Sequence, residues 1–219
     1  MTLSDFLTKY YPVIFSWAAA IVALITCRRW MPLHFKVLLV FVFFYAFADT
    51  AGAIMGPYYG SNHFFYNLLW GLQYMIIAYF YYHTLQNRTV KKVILFFFAL
   101  FPIFFFINAC WIQGFYTLQT YSIVLGGSFM LLFAVAFIWQ VYTSTETQSI
   151  FRDPVFWISL AWLFYYGLTA PYLGMLNYLL NNNPDFAFTY YVWVIDFSEC
   201  LRNSLLIIGF LCMRPTLKK

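Results

Sequence analysis

Apolar runs of about 20 residues, broken by short polar connections, recur along the whole chain, which is the spacing of membrane-crossing helices. Barrel strands would instead alternate apolar and polar positions with a period of two. Seven segments can be drawn, at about 10–27, 35–56, 64–85, 93–110, 118–143, 155–180 and 188–212. They predict an all-α polytopic membrane protein: a bundle of seven transmembrane helices forming one domain over residues 1–219, with no soluble domain. The connections are short, without Lys or Arg at one end and basic at the other. Arg28, Arg29 and Lys36 flank the first, Arg88, Lys91 and Lys92 the third, Arg152 the fifth, and Arg214, Lys218 and Lys219 the tail. By the positive-inside rule the amino terminus is expected outside and the carboxyl terminus in the cytoplasm.

Composition agrees with that pattern. The chain is 64% apolar, 25% aromatic and only 9% charged, with a mean hydropathy of +0.75, a balance that excludes a soluble domain. The net charge of +5 is accounted for by topology, so no nucleic-acid partner is implied. Met1 to Lys9 hold Asp5 and no basic run ahead of the apolar segment, so the first segment is expected to be a retained span and not a cleaved signal. Trp and Tyr cluster at the expected membrane edges, Tyr10, Tyr11, Trp111 and Tyr116 outside and Trp30, Trp139 and Tyr142 inside, as interfacial anchors. The sequon Asn87-Arg88-Thr89 falls on the cytoplasmic side and is discarded for glycosylation. Cys27, Cys110, Cys200 and Cys212 form no metal spacing and are expected as small buried apolar residues.

The last apolar segment carries Asp196, Glu199 and Arg202. An ionised residue at mid-bilayer costs about 2.5 to 3.5 kcal/mol, against roughly 0.3 to 0.6 gained per Leu, Ile, Phe or Val. Such a segment needs polar neighbours from other helices. At 100° per residue Asp196, Glu199 and Asn203 share a stripe, with Arg202 on its flank, and this stripe is expected to face the protein interior. In the second segment Tyr45, Asp49, Gly52 and Gly56 share another, where Gly52 and Gly56 form a GxxxG pair that lets a helix approach closely. At 1.5 Å of rise per residue Asp49 lies about 10 Å below the outer end of its span, Asp196 about 12 Å, Glu199 about 16 Å and Arg202 about 21 Å. Asn67 and Gln73 lie in the same outer half, as do Asn108, Gln119 and Asn177. The inner half is almost purely Phe, Leu, Ile and Val. These positions predict a polar ligand or ion pocket of Asp49, Asn67, Gln73, Asp196, Glu199, Arg202 and Asn203, opening outward over a dry cytoplasmic half.

Three carboxylates against one guanidinium do not balance. Either an acid carries a proton or a cation is bound. Arg202 is expected to pair with Glu199 or Asp49. A plainer reading is a buried ion pair that fixes helix register.

No lysine lies within a span, there is no HExxH, and Gly126-Gly127-Ser128 has no histidine placed as its base. His34, His63 and His83 sit at span edges on both sides, so neither haem ligation nor a metal cluster is expected. No catalytic residue, metal ligand or cofactor is assigned.

The turn Asn62-His63-Phe64-Phe65-Tyr66-Asn67 with Gln73-Tyr74 after it resembles a group of small seven-span membrane proteins of Bacteroidota-type bacteria. Phe164-Tyr165-Tyr166 through Asn177-Tyr178-Leu179-Leu180, and Arg202-Asn203 in the last segment, fit the same group. Members often carry a glutamate where this chain has Gln73, and the Asp196, Glu199 pair is not a feature of the group. The resemblance implies bacterial origin and seven helices, and it implies no activity; a multi-pass protein of the bacterial inner membrane is the expected location.

The residues themselves leave three functions open. One is a receptor-like module whose outward pocket senses a small ligand or protons and informs a cytoplasmic signalling partner. The second is a small proton- or cation-coupled transporter titrating Asp49, Asp196 and Glu199. Similar stretches around Pro57 and Pro171, Gly56-Pro57-Tyr58-Tyr59-Gly60 and Ala170-Pro171-Tyr172-Leu173-Gly174, would suit the inverted repeats of such a protein. The third is a structural membrane subunit or homo-oligomer. A sealed inner half favours the first, since alternating access needs a polar route on both sides.

Overall fold

A computed structural model describes residues 3–28, 31–59, 63–144 and 150–213, with residues 3–9, 53, 55–59, 188 and 192 described by backbone alone. Arg29, Trp30, Gly60, Asn62, Arg214, Lys218 and Lys219 lie outside the described residues. The protein is all-helical. Its first six helices are α1 (Leu3–Thr26), α2 (Leu33–Tyr59), α3 (His63–Thr84), α4 (Arg88–Ile107), α5 (Thr120–Thr143) and α6 (Pro154–Asn182). The seventh rod comes in three pieces, α7 (Pro184–Tyr191), a π-helical turn (Val192–Asp196) and α8 (Phe197–Leu211).

Caps and turns explain several boundaries. Asn87 accepts from the Thr89 and Val90 amides to start α4, and Asp153 accepts from the Val155 amide just ahead of Pro154 to start α6. Asp153 is half-buried there, and that burial pushes its carboxyl above the usual carboxylate range although the helix amides pull the other way. α4 ends in a π-helical turn (Asn108–Ile112), after which Gly114 takes φ 87° and turns the chain toward α5.

Neighbour contacts order α1, α2, α3, α5, α6 and α8 as a closed ring, with α4 outside against α3 and α5. Side chains at the helix ends confirm an up-and-down course. His34 of α2 stacks on His83 of α3, the Gln86 amide reaches Gln140, and Cys212 lies against Phe151, all at the end that carries Arg28, Arg88 and Arg152. The histidine pair joins two span edges that the sequence treats separately. The cysteines depart from expectation: Cys27 and Cys110 are exposed and Cys200 and Cys212 half-buried, Cys27 and Cys212 standing just past the ends of α1 and α8.

Three stretches are long and apolar enough to cross a membrane, Leu33–Gly52, Arg88–Ile112 and Thr120–Thr143, and Tyr10–Thr26 is a shorter apolar helix. The outward faces are apolar too. In α4, Ile94, Phe97, Phe101 and Phe105 are buried while Leu95, Phe96, Ile103 and Phe106 are exposed, as on a surface that meets lipid. α3, α6 and the last rod are less apolar for a structural reason. They supply the ring's interior with Asn67, Gln73, Tyr74, Tyr81, Tyr165, Tyr166, Arg202 and Asn203, all of them buried.

Close approach is built in where glycine faces a ring. A Cβ on Gly126 of α5 would stand 2.5 Å from the Tyr74 ring of α3, and one on Gly127 would stand 3.0 Å from Ala170 of α6. Gly52 leaves room for the tip of Tyr66. The surroundings of its expected partner, Gly56, lie outside the described residues.

Candidate functional site

The buried face of α8 is centred on Ser198, Arg202, Asn203, Leu206, Gly209 and Phe210. Arg202, expected on the flank of a stripe led by Asp196 and Glu199, is therefore its centre. Asp196 and Glu199 are only partly buried and stay at the rim. Arg202 is 2% exposed and Glu199 12%.

Aromatic rings enclose the guanidinium. Its central carbon lies 4.5 Å from the Tyr45 ring centre, 4.5 Å from Tyr165 and 5.8 Å from Trp162, so helices α2 and α6 each present π faces to the cation. Nη2 of Arg202 stands 4.0 Å from Oε1 of Glu199, the loose end of ion-pair geometry. The Tyr45 hydroxyl donates to that same oxygen at 2.9 Å and ties α2 to α8. Nε and Nη2 make long contacts of 3.4 and 3.5 Å with Asn203 Oδ1. Among the described residues Nη1 of Arg202 and Nε1 of Trp162 have no hydrogen-bond partner.

Asp49 joins through α1. Ser16 donates to Asp49 Oδ2 at 2.8 Å, and Asn203 Nδ2 donates to Ser16 Oγ at 3.0 Å. Ser16 was not singled out in the sequence, since a serine among alanines carries no signal until its neighbours are known. Asp196 is half-buried nearer the amino-terminal end of the ring, within reach of the Tyr11 hydroxyl. The structure thus brings Asp49, Glu199, Arg202 and Asn203 into one cluster, with Asp196 above it.

Asn67 and Gln73 belong elsewhere. Asn67 Nδ2 donates to Phe115 O at 3.2 Å and Thr117 O at 2.7 Å, and its Oδ1 accepts from the Gln119 amide at 3.1 Å, so it fastens the α4–α5 connection. Gln73 Nε2 donates to the Tyr166 hydroxyl at 2.6 Å. Tyr166 stacks on Trp162, which leaves Gln73 an aromatic layer away from Arg202.

The cluster is packed. The cavity bounded by Ser16, Tyr45, Trp162, Arg202 and Asn203 measures about 10 Å³, the room of about one water. Toward the basic end Leu38, Val42, Leu206 and Phe210 are buried and apolar, and the buried side-chain polar groups there, Tyr81 and Ser159, are neutral. Toward the amino-terminal end Glu199 and Asp196 are both only partly buried, where Asp49 is buried. Among the described residues no three His, Cys, Asp or Glu side chains converge as metal ligands. Such a site can exchange protons or hold one bare cation no larger than a water from a single side. Comparison with protein-family models found no match, and neither curated proteins nor solved structures gave one.

Proposed function

We propose that this chain is a seven-span protein of a bacterial inner membrane, amino terminus outside and carboxyl terminus cytoplasmic. It acts as a receptor-like module that senses protons, or a bare cation no larger than a water, at the Asp49, Glu199 and Arg202 cluster. The observation that carries the reading is the one-sided order of the polar groups. Acids run from Asp196 through Glu199 to Asp49 and end on an enclosed guanidinium, and the fully buried side chains beyond it among the described residues are apolar or neutral. One guanidinium facing two adjacent carboxylates favours uptake of one positive charge, from the side where those acids open.

The same helix offers a route for the response. The π-turn at Val192–Asp196 holds one residue more per turn than an α-helix and can release that slack as a shift of α8. At its other end α8 packs Gly209 against α6 so closely that an added Cβ would lie 3.2 Å from Pro154 O. A shift at Glu199 is felt there, beside the α5–α6 connection, where a cytoplasmic partner would read it.

Reconstitution into liposomes with a pH gradient tests the reading against transport. No proton flux through the wild type is expected. Flux that is lost in Asp49→Asn and Glu199→Gln would replace sensing with coupled transport.

A further inference from the structure

A second polar site lies at the amino-terminal end of the ring, apart from the charged cluster. Gln113, Thr117, Asn177, Leu180 and Asn181, from the α4–α5 connection and the end of α6, line a cleft of about 370 Å³. That volume is in the range of small-molecule sites. Its lining carries amides, a hydroxyl and one apolar side chain, and no charge.

The connection forming one wall is held by a dense neutral network. Asn67 fastens the carbonyls of Phe115 and Thr117. Asn108 Nδ2 donates to Gln113 Oε1 at 3.0 Å and to Ser122 Oγ at 2.9 Å. Gln113 Nε2 donates to Thr120 Oγ1 at 2.8 Å. Asn177 Nδ2, on the opposite wall, donates to Leu118 O at 3.1 Å. The walls are thus preorganised, which lowers the cost of ordering on binding.

The network does not close. Among the described residues Asn108 Oδ1 and Gln119 Nε2 are buried and have no hydrogen-bond partner, Asn108 one bonded step behind the Gln113 lining and Gln119 farther along the same network through Ser122. Asn108 is 0% and Gln119 1% exposed. The cleft's own polar side chains, the amides of Gln113, Asn177 and Asn181 and the Thr117 hydroxyl, carry both donor and acceptor atoms and so suit a group that both donates and accepts. Hydroxyls do both; a carboxylate only accepts and an ammonium only donates. With no charge in the lining to compensate an ion, the chemistry selects a neutral hydroxylated ligand.

We propose that the cleft of Gln113, Thr117, Asn177 and Asn181 binds a neutral polyhydroxyl group, a saccharide, presented either free or as the headgroup of a glycolipid. The two sources share this chemistry and differ in whether the acyl chains are needed.

The test uses the full chain in nanodiscs of phosphatidylglycerol and phosphatidylethanolamine, prepared without sugar-based detergent. Maltose and N-acetylglucosamine are titrated by calorimetry in one arm, and monoglucosyl diacylglycerol is incorporated into the discs and followed by native mass spectrometry in the other. Binding of a free saccharide that Asn181→Leu weakens at least tenfold supports the free-ligand form. Retention of the glycolipid alone, reduced at least tenfold by the same variant, supports the headgroup form. Asn181 is exposed, so Asn181→Leu keeps the fold where Asn177→Ala also removes the bond to Leu118 O. Failure of the folded wild type to hold any of the three probes, or binding that Asn181→Leu and Asn177→Ala both leave unchanged, overturns the proposal.

Discussion

The Tyr45 hydroxyl donates to Glu199 Oε1 at 2.9 Å while the ring below it faces the Arg202 guanidinium at 4.5 Å. One residue of α2 therefore serves both members of an ion pair on α8. Tyr45→Phe removes the bond to the carboxylate and keeps the π face, so it is expected to lower stability by about 1.5–3 kcal/mol, the range for a hydrogen bond to a charged group. Tyr45→Leu removes both and costs more. Thermal unfolding of the two variants in one detergent checks the order, and equal stability of wild type and Tyr45→Phe would mean that the bond contributes nothing.

Arg202 is enclosed on every side, so single removal leaves Glu199 and Asp49 without their cation. Arg202→Met is expected to cost about 3–5 kcal/mol. Adding Glu199→Gln should recover part of that loss, with a coupling of about 0.5–3 kcal/mol in the double-mutant cycle. Arg202→Lys is not a substitute, since a compact ammonium cannot lie flat between Tyr45 and Tyr165. Additive single and double variants would show that Arg202 and Glu199 do not interact.

Gly126 sits against the buried Tyr74 ring, where a Cβ would come within 2.5 Å. Gly126→Ala is expected to push α5 from α3 and to destabilise the protein by about 1–3 kcal/mol, the cost of overpacking. Gly167→Ala, whose Cβ would meet only the tip of Leu131 at 3.9 Å, serves as the tolerant control. A melting temperature unchanged in Gly126→Ala would contradict the close α3–α5 packing.

Asn67 makes three bonds to the α4–α5 connection. Asn67→Ala leaves the buried Gln119 amide unpaired, at about 1–3 kcal/mol, and frees the Phe115 and Thr117 carbonyls. Faster hydrogen exchange confined to residues 113–119 is the expected signature, and unchanged exchange there would sink the assignment.

Asp153 tests the cap at the start of α6. Its carboxyl is raised in the folded state by burial, so its contribution to stability is fully present below the unfolded value of about 3.9 and is lost as pH rises through the folded one. Asp153→Asn keeps an acceptor for the Val155 amide without the buried charge, and is expected to be at least as stable as wild type at pH 7. Asp153→Ala loses the cap, at about 1 kcal/mol. Stability curves against pH for the three proteins check both statements.

Each of the seven apolar segments drawn from the sequence overlaps a helical rod, because hydrophobic runs and their polar breaks are local signals. The expected 93–110 segment is longer in the structure, since Asn87 caps α4 early and a π-turn carries it to Ile112. The π-turn at Val192–Asp196 left no mark in the sequence, and neither did the facing of α8, whose buried side takes in Arg202 and Asn203 and leaves Glu199 at its edge. Asp49, Glu199, Arg202 and Asn203 were legible as a group because charges within apolar runs need company. Ser16, Trp162 and Tyr165 were not, for in a chain so rich in aromatics few rings stand out; Tyr45 was legible only as sharing the Asp49 stripe. Asn67 and Gln73 share a depth with the acids but face other neighbours, which depth alone does not resolve.

The central claim, a cluster that exchanges a proton, is tested most directly by infrared difference spectroscopy of the reconstituted protein during a pH titration. The account predicts a protonated-carboxyl carbonyl band that grows on acidification, is altered in Asp49→Asn and disappears in Glu199→Gln. A folded protein whose carboxyl bands stay constant over the whole titration would contradict it, and would leave Glu199 and Arg202 as a static pair that holds α8 in place.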